Sequence, residues 1–189
     1  MIDVLRAIKI SHFLLEQFLV SGQTVVDATA GNGNDTLFLS KIVGTSGLVY
    51  AFDLQENALK ETSELLKKNN CLNQVKIIHD GHENMDKHVN NPVQAIVYNL
   101  GYLPGGNKNI ITKKETTLFS IQKGINLLSL GGVISIIVYP GHPGGLEEAI
   151  CVQSYLKSLS YKIWDVMKWN TENEVYNKSP YLFFLHKKK

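Results

Sequence analysis

The chain has 189 residues, of which 44% are hydrophobic and 19% charged, and its formal net charge is +2. This composition is typical of globular proteins and excludes a disordered, collagen-like or coiled-coil chain, and the length favours one domain over residues 1–189. Arg6 is the only arginine beside 18 lysines, so phosphate contacts would use lysine ammonium groups, and the two cysteines, Cys71 and Cys151, form neither a metal nor a disulfide framework.

The first predicted element is an amphipathic helix within residues 1–21, where apolar side chains recur at three- and four-residue steps. Charged and polar residues interrupt every apolar run in it. It is therefore neither a secretory signal nor a membrane span, which needs about 20 apolar residues. The rest of the chain has no such run either, so we expect no membrane partner, reduced cysteines and a cytoplasmic location.

Strand-like and helix-like segments alternate after this helix. Strands are predicted at 24–30, 47–54, 75–79, 93–100 and 132–140, and helices at 35–43, 57–70, 83–88, 115–128 and 146–159. Two more strands, 161–169 and 179–187, then follow one another. This order predicts an α/β fold with a mostly parallel seven-stranded sheet, helices on both faces and a C-terminal antiparallel hairpin at the sheet edge.

Glycines mark one edge of the predicted sheet. Eight of the 15 glycines follow the carboxyl ends of three predicted strands, at positions 31, 33, 101, 105, 106, 141, 144 and 145. Open α/β sheets bind ligands at this edge, and glycine lets the backbone approach a ligand closely. We therefore expect the functional site there.

The loop after the first strand, DATAGNGND, begins at Asp27. Gly31 and Gly33 lie where a Rossmann fold has its phosphate-binding turn, but Thr36 stands in place of the third glycine. Asp27 would repel a phosphate and attract an ammonium or sulfonium cation. Asp35 is either a second carboxylate of the site or a favourable acid in the first helical turn.

Acidic residues after the next two strands are typical of an adenosine pocket. Asp53 follows Gly33 by 20 residues, the distance at which a carboxylate reaches the ribose hydroxyls, and Gln55 could border the same pocket. The third strand leads into a segment that could meet the adenine edge, formed by Asp80, Gly81 and His82. These features do not distinguish one adenosine cofactor from another.

DATAGNGND resembles the D-x-G-x-G-x-G motif of class I S-adenosylmethionine-dependent methyltransferases, with Thr29 in place of the first glycine. Together with DGHENM, NLGYLPGG and YPGHPGG, it is similar to the small bacterial family known as rRNA methylases, over essentially the whole chain after the first helix. The resemblance implies a Rossmann-like methyltransferase fold, S-adenosylmethionine as cofactor, and methylation of the aminomethyl group on the wobble uridine of tRNA. The expected cofactor residues are Asp27, Thr29, Gly31, Asn32, Gly33, Asn34, Asp35, Asp53, Gln55, Asp80, Gly81 and His82.

The expected reacting end is Asn99-Leu100-Gly101-Tyr102, where amino-group methyltransferases usually have Asn/Asp-Pro-Pro-Tyr/Phe. The Asn99 amide oxygen and a neighbouring backbone carbonyl can accept the N–H bonds of an amine and so aim its lone pair. Tyr102 could stack on a base or pack in the core. His142, after the fifth strand, could accept a proton, hold the substrate or be structural. A dry pocket lowers the pKa of an amine, so we expect direct in-line transfer without a covalent enzyme intermediate.

The expected substrate contacts are Leu100, Gly101, Gly105, Gly106 and Lys108, and the expected partner is the anticodon region of tRNA. The sequence shows no separate RNA-binding domain, so a second subunit of a homodimer could supply part of the surface. Three alternatives stay open: a methyltransferase for rRNA or a small-molecule amine, a nucleotide-binding oxidoreductase, and a non-catalytic cofactor- or RNA-binding module. Asp27 argues against the oxidoreductase and Asn99 against the non-catalytic module.

Overall fold

The computed structural model describes residues 7–101, 111–173 and 179–189. Its helices are α1 (Ala7–Phe18), α2 (Asn34–Val43), α3 (Glu56–Lys68), α4 (Lys114–Leu127) and α5 (Gly145–Ser158), with a 3-10 helix at His82–Lys87. Its strands are β1 (Thr24–Asp27), β2 (Leu48–Asp53), β3 (Val75–His79), β4 (Val93–Asn99), β5 (Leu128–Val138), β6 (Trp164–Trp169) and β7 (Tyr181–Lys187).

The seven strands form a single sheet in the order β3-β2-β1-β4-β5-β7-β6. β1 to β5 run parallel, whereas β7 pairs antiparallel with both β5 and β6. This mixed sheet confirms the predicted fold class, including the antiparallel pair at the end. The strand order reverses between β1 and β4, and open α/β sheets bind ligands at such a switch point.

Helices cover both faces of the sheet. α1 contacts β5 and β7, α2 contacts β1 and β2, and α3 packs beside α2, whereas α4 packs between the 3-10 helix and α5. Alternate residues of β4 separate the two cores: Val97 lies with Leu15 and Leu39, and Tyr98 with Ile121 and Val152. Because both faces are covered, the apolar run of β5 is buried on both sides, as its sequence predicts.

β1 ends three residues before its predicted end, and two strands begin three or four residues away from their predicted starts. β5 begins at Leu128 and not at 132, because Leu128 already pairs with Val93 of β4. The register with β4 then shifts across Gly131 and Gly132, and pairing resumes where Val133 meets Ala95. β6 begins at Trp164 and not at 161, because the N–H groups of Ile163 and Trp164 donate to the Ser160 carbonyl in a turn. Both shifted starts arise from pairing and turn hydrogen bonds that local composition does not reveal.

The predicted N-terminal helix is present over Ala7–Phe18 within the described residues. Its buried Ser11 hydroxyl hydrogen-bonds the Ser135 hydroxyl of β5 at 2.7 Å, and the Phe18 ring contacts Phe184 of β7. These contacts fix α1 against the second half of the sheet. No helix in the described part of the chain is long and apolar enough to cross a membrane.

Candidate active site

The candidate site lies at the carboxyl ends of β1, β2, β4 and β5, on both sides of the point where the strand order reverses. Thr29, which follows β1, joins the two halves: its hydroxyl oxygen accepts the Asn99 backbone N–H of β4 at 2.7 Å. The residue that departs from the glycine motif therefore holds the carboxyl end of β4 in place.

The loop after β1 is held between β2 and α3. The Gly31 N–H donates to Asp53 Oδ2 at 2.9 Å, and the Thr62 hydroxyl of α3 donates to the Gly31 carbonyl at 2.9 Å. Gly33 has φ +81°, and a Cβ there would lie 2.9 Å from Thr62 Cα. Gly33 is therefore required by its left-handed backbone and by its close packing on α3.

Asp27, at the end of β1, is a fully buried carboxylate. It accepts the Thr36 hydroxyl at 2.6 Å and the Thr29 N–H at 3.2 Å, and no basic side chain among the described residues forms an ion pair with it. Burial, followed by the negative charge of Asp35, raises the pKa of Asp27 to about 7. A buried carboxylate without a counter-cation fits a positively charged ligand, because such a ligand would favour its ionised form.

Asp53, at the end of β2, is half-buried beside the same loop. Its Oδ2 accepts the Gly31 N–H, and its Oδ1 accepts the Gln55 N–H at 2.8 Å. The two backbone donors fix the direction of the carboxylate, and each oxygen keeps a further lone pair. Gln55 immediately precedes α3 in an extended conformation.

Asp35 joins three elements in the structure. Its Oδ1 lies 2.5 Å from His12 Nε2 of α1, and its Oδ2 accepts Nδ2 of Asn99 at the end of β4. The sequence analysis did not assign His12 to the site. The sequence feature that could have identified His12 is a titratable side chain within the apolar stripe of the first helix. In the structure the His12 ring stacks on Phe38 of α2, with the ring centroids 3.8 Å apart.

The side-chain oxygen of Asn99 is buried and has no hydrogen-bond partner among the described residues. Its side-chain nitrogen donates to Asp35 and its backbone nitrogen donates to Thr29, so the side-chain oxygen is an acceptor left for a ligand. A buried acceptor without a donor is costly unless a ligand satisfies it. Asn99 can therefore accept an N–H bond from a substrate at this edge.

His142 follows β5 and lies beside the end of β4. Its Nδ1 lies 3.0 Å from the Pro143 carbonyl, which can only accept, so that Nδ1 carries the proton and Nε2 is the basic nitrogen. A Cβ on Gly101 would lie 3.4 Å from Nε2, and one on Gly145 would lie 2.8 Å from it. The two glycines thus make room for the imidazole between the end of β4 and the start of α5.

The segment after β3 forms a local network. Asp80 accepts the Gly81 N–H, the Asn84 amide and the His88 imidazole, each at 2.8 Å, and these bonds lower its pKa, with the bond to His88 as the main cause. His82 is only 8% exposed, and burial lowers its pKa. The His82 ring is therefore neutral near pH 7 and lies edge-on to Tyr98.

The remaining predicted site residues differ in how exposed they are. Asn32 is half-buried in the first loop, and Asn34 is exposed at the start of α2. The Leu100 side chain is 1% exposed within the core, and the Leu100 N–H donates to the Ile137 carbonyl, so the predicted substrate contact of Leu100 stays a prediction. Any substrate contact of Leu100 falls to its backbone carbonyl. The predicted residues Tyr102, Gly105, Gly106 and Lys108 lie outside the described residues.

The same fold occurs in solved structures. A "putative rRNA-methylase" from Clostridium thermocellum has a TM-score of 0.93 at 41% identity, with 96% of this chain and 97% of that chain covered. SMU.1697c from Streptococcus mutans, solved in complex with SAH, has a TM-score of 0.88 at 39% identity, with 99% of each chain covered. The architecture is that of the class I methyltransferases.

Sequence comparison identifies the family of class I methyltransferases to which the chain belongs. The family model described as "Putative rRNA methylase" matches residues 49–186. The chloroplastic tRNA (mnm5s2U34)-methyltransferase of Arabidopsis thaliana is 40% identical over 196 residues, which cover 97% of this chain and 70% of that protein. The chain belongs to the rRNA methylase family.

Proposed function

We propose that this protein transfers a methyl group from S-adenosylmethionine to the amine of 5-aminomethyl-(2-thio)uridine at wobble position 34 of tRNA, giving the 5-methylaminomethyl form. The observation that carries the proposal is the Asn99 side-chain oxygen, a buried acceptor without a partner among the described residues. The substrate follows the similarity to the Arabidopsis thaliana relative, whose name specifies that nucleoside.

The proposed cofactor side of the pocket surrounds the loop after β1. Asp27 supplies negative charge beneath the loop, and Asp53, fixed by two backbone N–H groups, accepts the ribose hydroxyls. The adenine meets the segment of Asp80, Gly81 and His82. The remaining proposed cofactor contacts are Thr29, Gly31, Asn32, Gly33, Asn34, Asp35 and Gln55.

The proposed chemistry requires a neutral amine. An alkylamine with a pKa near that of lysine, about 10.4, is mostly protonated in water near pH 7. Burial beside Asn99 disfavours the charged form. S-adenosylmethionine supplies the methyl group: the amine nitrogen bonds to the methyl carbon as its bond to sulfur breaks, and S-adenosylhomocysteine leaves. Asn99 Oδ1 accepts one amine N–H and thereby aims the lone pair for in-line transfer.

His142 is the proposed second contact of the amine. Its Nδ1 proton is directed to the Pro143 carbonyl, so that Nε2 can accept an amine proton. The proposed RNA contacts continue through Gly101, the Leu100 carbonyl, Tyr102, Gly105, Gly106 and Lys108 towards the anticodon loop. A homodimer and a cytoplasmic location stay predictions.

The test is methyl transfer from labelled S-adenosylmethionine to tRNA that carries 5-aminomethyluridine, with nucleoside mass spectrometry of the product. We expect 5-methylaminomethyluridine with the wild-type chain. Asn99→Ala should lower kcat by at least about tenfold, because the nucleophile loses its orientation, while its affinity for S-adenosylhomocysteine stays within about threefold. Label in rRNA or in a small amine, with none in tRNA, would contradict the proposed substrate. Wild-type turnover by Asn99→Ala would contradict the role of Asn99.

A further inference from the structure

A line of three polar side chains runs from α1 to the acceptor oxygen of Asn99. His12 Nε2 contacts Asp35 Oδ1 at 2.5 Å, and Asp35 Oδ2 accepts the Asn99 side-chain nitrogen. The His12 and Asp35 side chains are 24% and 15% exposed, so solvent competes only weakly for these bonds. The line joins three elements that are distant in the sequence.

The chemistry of Asp35 determines which way the Asn99 amide faces. An ionised carboxylate only accepts hydrogen bonds, so the amide must present its NH2 group to Asp35. The amide oxygen then faces away from Asp35, and this atom is the buried acceptor without a partner. Without the carboxylate, the amide could rotate by 180° and turn its NH2 group towards the substrate amine. Two hydrogen-bond donors would then face each other, and the amine N–H would have no acceptor.

His12 in turn limits the movement of Asp35. Its Nε2 must donate, because the facing group is a carboxylate. One face of the imidazole stacks on the Phe38 ring, with an interplanar angle of 8°. Asp35 is thus bonded at both oxygens, once from α1 and once from β4. Among the described residues, the charge of Asp35 also acts on Asp27 and Tyr139, and neither of them donates a hydrogen bond to it.

We propose that His12 and Asp35 are a positioning pair that fixes the Asn99 amide with its oxygen towards the substrate amine. The proposal rests on the proposed function, and it assigns to α1 a part in the methyl-transfer step. His12 acts through Asp35, and Asp35 acts through Asn99. Neither residue needs to exchange a proton with the substrate for this role.

The test compares His12→Ala, His12→Gln and Asp35→Asn in the full chain, with His186→Ala as the matched control. His186 contacts the Phe18 ring of α1 and lies 3.9 Å from Asp165, but it is on β7 and away from Asn99. We expect His12→Ala and Asp35→Asn to lower kcat on tRNA by about 10- to 100-fold, the range that small misplacement of reacting groups produces. His12→Gln, which can still donate to Asp35, should recover part of the loss, and His186→Ala should match the wild type.

Two further readouts separate positioning from cofactor binding and from the proposed function itself. Calorimetry should give affinities for S-adenosylhomocysteine within about threefold of wild type for the His12 variants. In NMR spectra of the complex with S-adenosylhomocysteine, the side-chain NH2 signals of Asn99, assigned by their loss in Asn99→Ala, should shift in Asp35→Asn and His12→Ala but not in His186→Ala.

Wild-type kcat in His12→Ala, or Asn99 signals that do not move in either variant, would overturn the positioning pair. A wild-type chain that leaves tRNA unmethylated would overturn the proposed function instead. In that case the Asn99 signals alone decide the present proposal, since they do not depend on turnover: shifted signals support it and unmoved signals overturn it.

Discussion

At the scale of single residues, the protonation of Asp27 makes the free energy of unfolding depend on pH. An aspartate in the unfolded chain titrates near 3.8, whereas burial and the Asp35 charge raise the pKa of folded Asp27 to about 7. The folded state therefore holds this proton over a range where the unfolded state has lost it. The Asp27 contribution to the free energy of unfolding falls as pH rises from about 4 to about 7, by up to about 1.4 kcal/mol per pH unit.

Binding of a positively charged cofactor should lower the pKa of Asp27 again and release a proton from it. A nearby cation favours ionised Asp27, so at pH 7 we expect S-adenosylmethionine binding to expel part of one proton. Calorimetric titrations in two buffers with different ionisation enthalpies should give different binding enthalpies for the wild type. For Asp27→Asn the two enthalpies should coincide. Equal enthalpies in the wild type would show that the Asp27 carboxyl does not respond to the ligand charge.

Asp53 gives a second prediction at this scale. Asp53→Ala should weaken the affinity for S-adenosylhomocysteine by about tenfold or more, because the ribose loses a charged acceptor and the Gly31 N–H loses its partner. Asp165→Ala is the matched control, since Asp165 is an acidic strand residue on the far edge strand β6. Calorimetry measures both variants. An unchanged dissociation constant in Asp53→Ala would remove Asp53 from the site.

At the scale of elements, Glu148 of α5 ties the end of β4 to α4. Its Oε2 accepts the Thr112 hydroxyl at 2.9 Å and its Oε1 accepts the Thr117 hydroxyl at 2.5 Å. The Thr112 oxygen in turn accepts the Gly101 N–H at 2.8 Å. Burial raises the pKa of Glu148 against the effect of these donors. This network joins Gly101, just after β4, to Thr112, which lies just before α4.

Removing the Thr112 hydroxyl should therefore destabilise the fold. Thr112→Val leaves the Gly101 N–H and one Glu148 oxygen without their partner, and we expect the free energy of unfolding to fall by about 1–3 kcal/mol. Thr116→Val should change it by less than about 0.5 kcal/mol, because the Thr116 hydroxyl donates only to the Lys113 carbonyl at an exposed position. Urea unfolding measures both. Equal stabilities of the two variants would show that the network carries no net free energy.

The elements themselves could be predicted because their signals are local. The helical spacing of α3 and the apolar run of β3 are readable within a few residues, and the antiparallel pair follows from two successive strands. The contacts among His12, Asp35 and Asn99 could not be predicted in the same way. They join positions 23 and 64 residues apart, and only the assembled sheet brings those positions together. The sequence likewise shows Thr29 only as a departure from the glycine motif, and its role becomes clear from its hydrogen bond to Asn99 in the fold.

At the scale of the whole molecule, a ligand that binds only the folded chain raises its stability. With S-adenosylhomocysteine at about 100 times its dissociation constant, we expect the free energy of unfolding to rise by about 2.7 kcal/mol. NAD at the same concentration should produce no shift, because the buried Asp27 carboxylate disfavours a pyrophosphate. Thermal unfolding with each ligand measures the difference. A rise with NAD and none with S-adenosylhomocysteine would favour the oxidoreductase alternative.

The position of α1 also bears on how the protein is made. The ribosome synthesises this helix before any strand, yet it packs on β5 and on β7, through Ser135 and Phe184. Its docking surface is complete only after β7 has left the exit tunnel. Because His12 belongs to α1, a nascent chain can pair its first four strands before the Asp35 carboxylate gains its contact with His12.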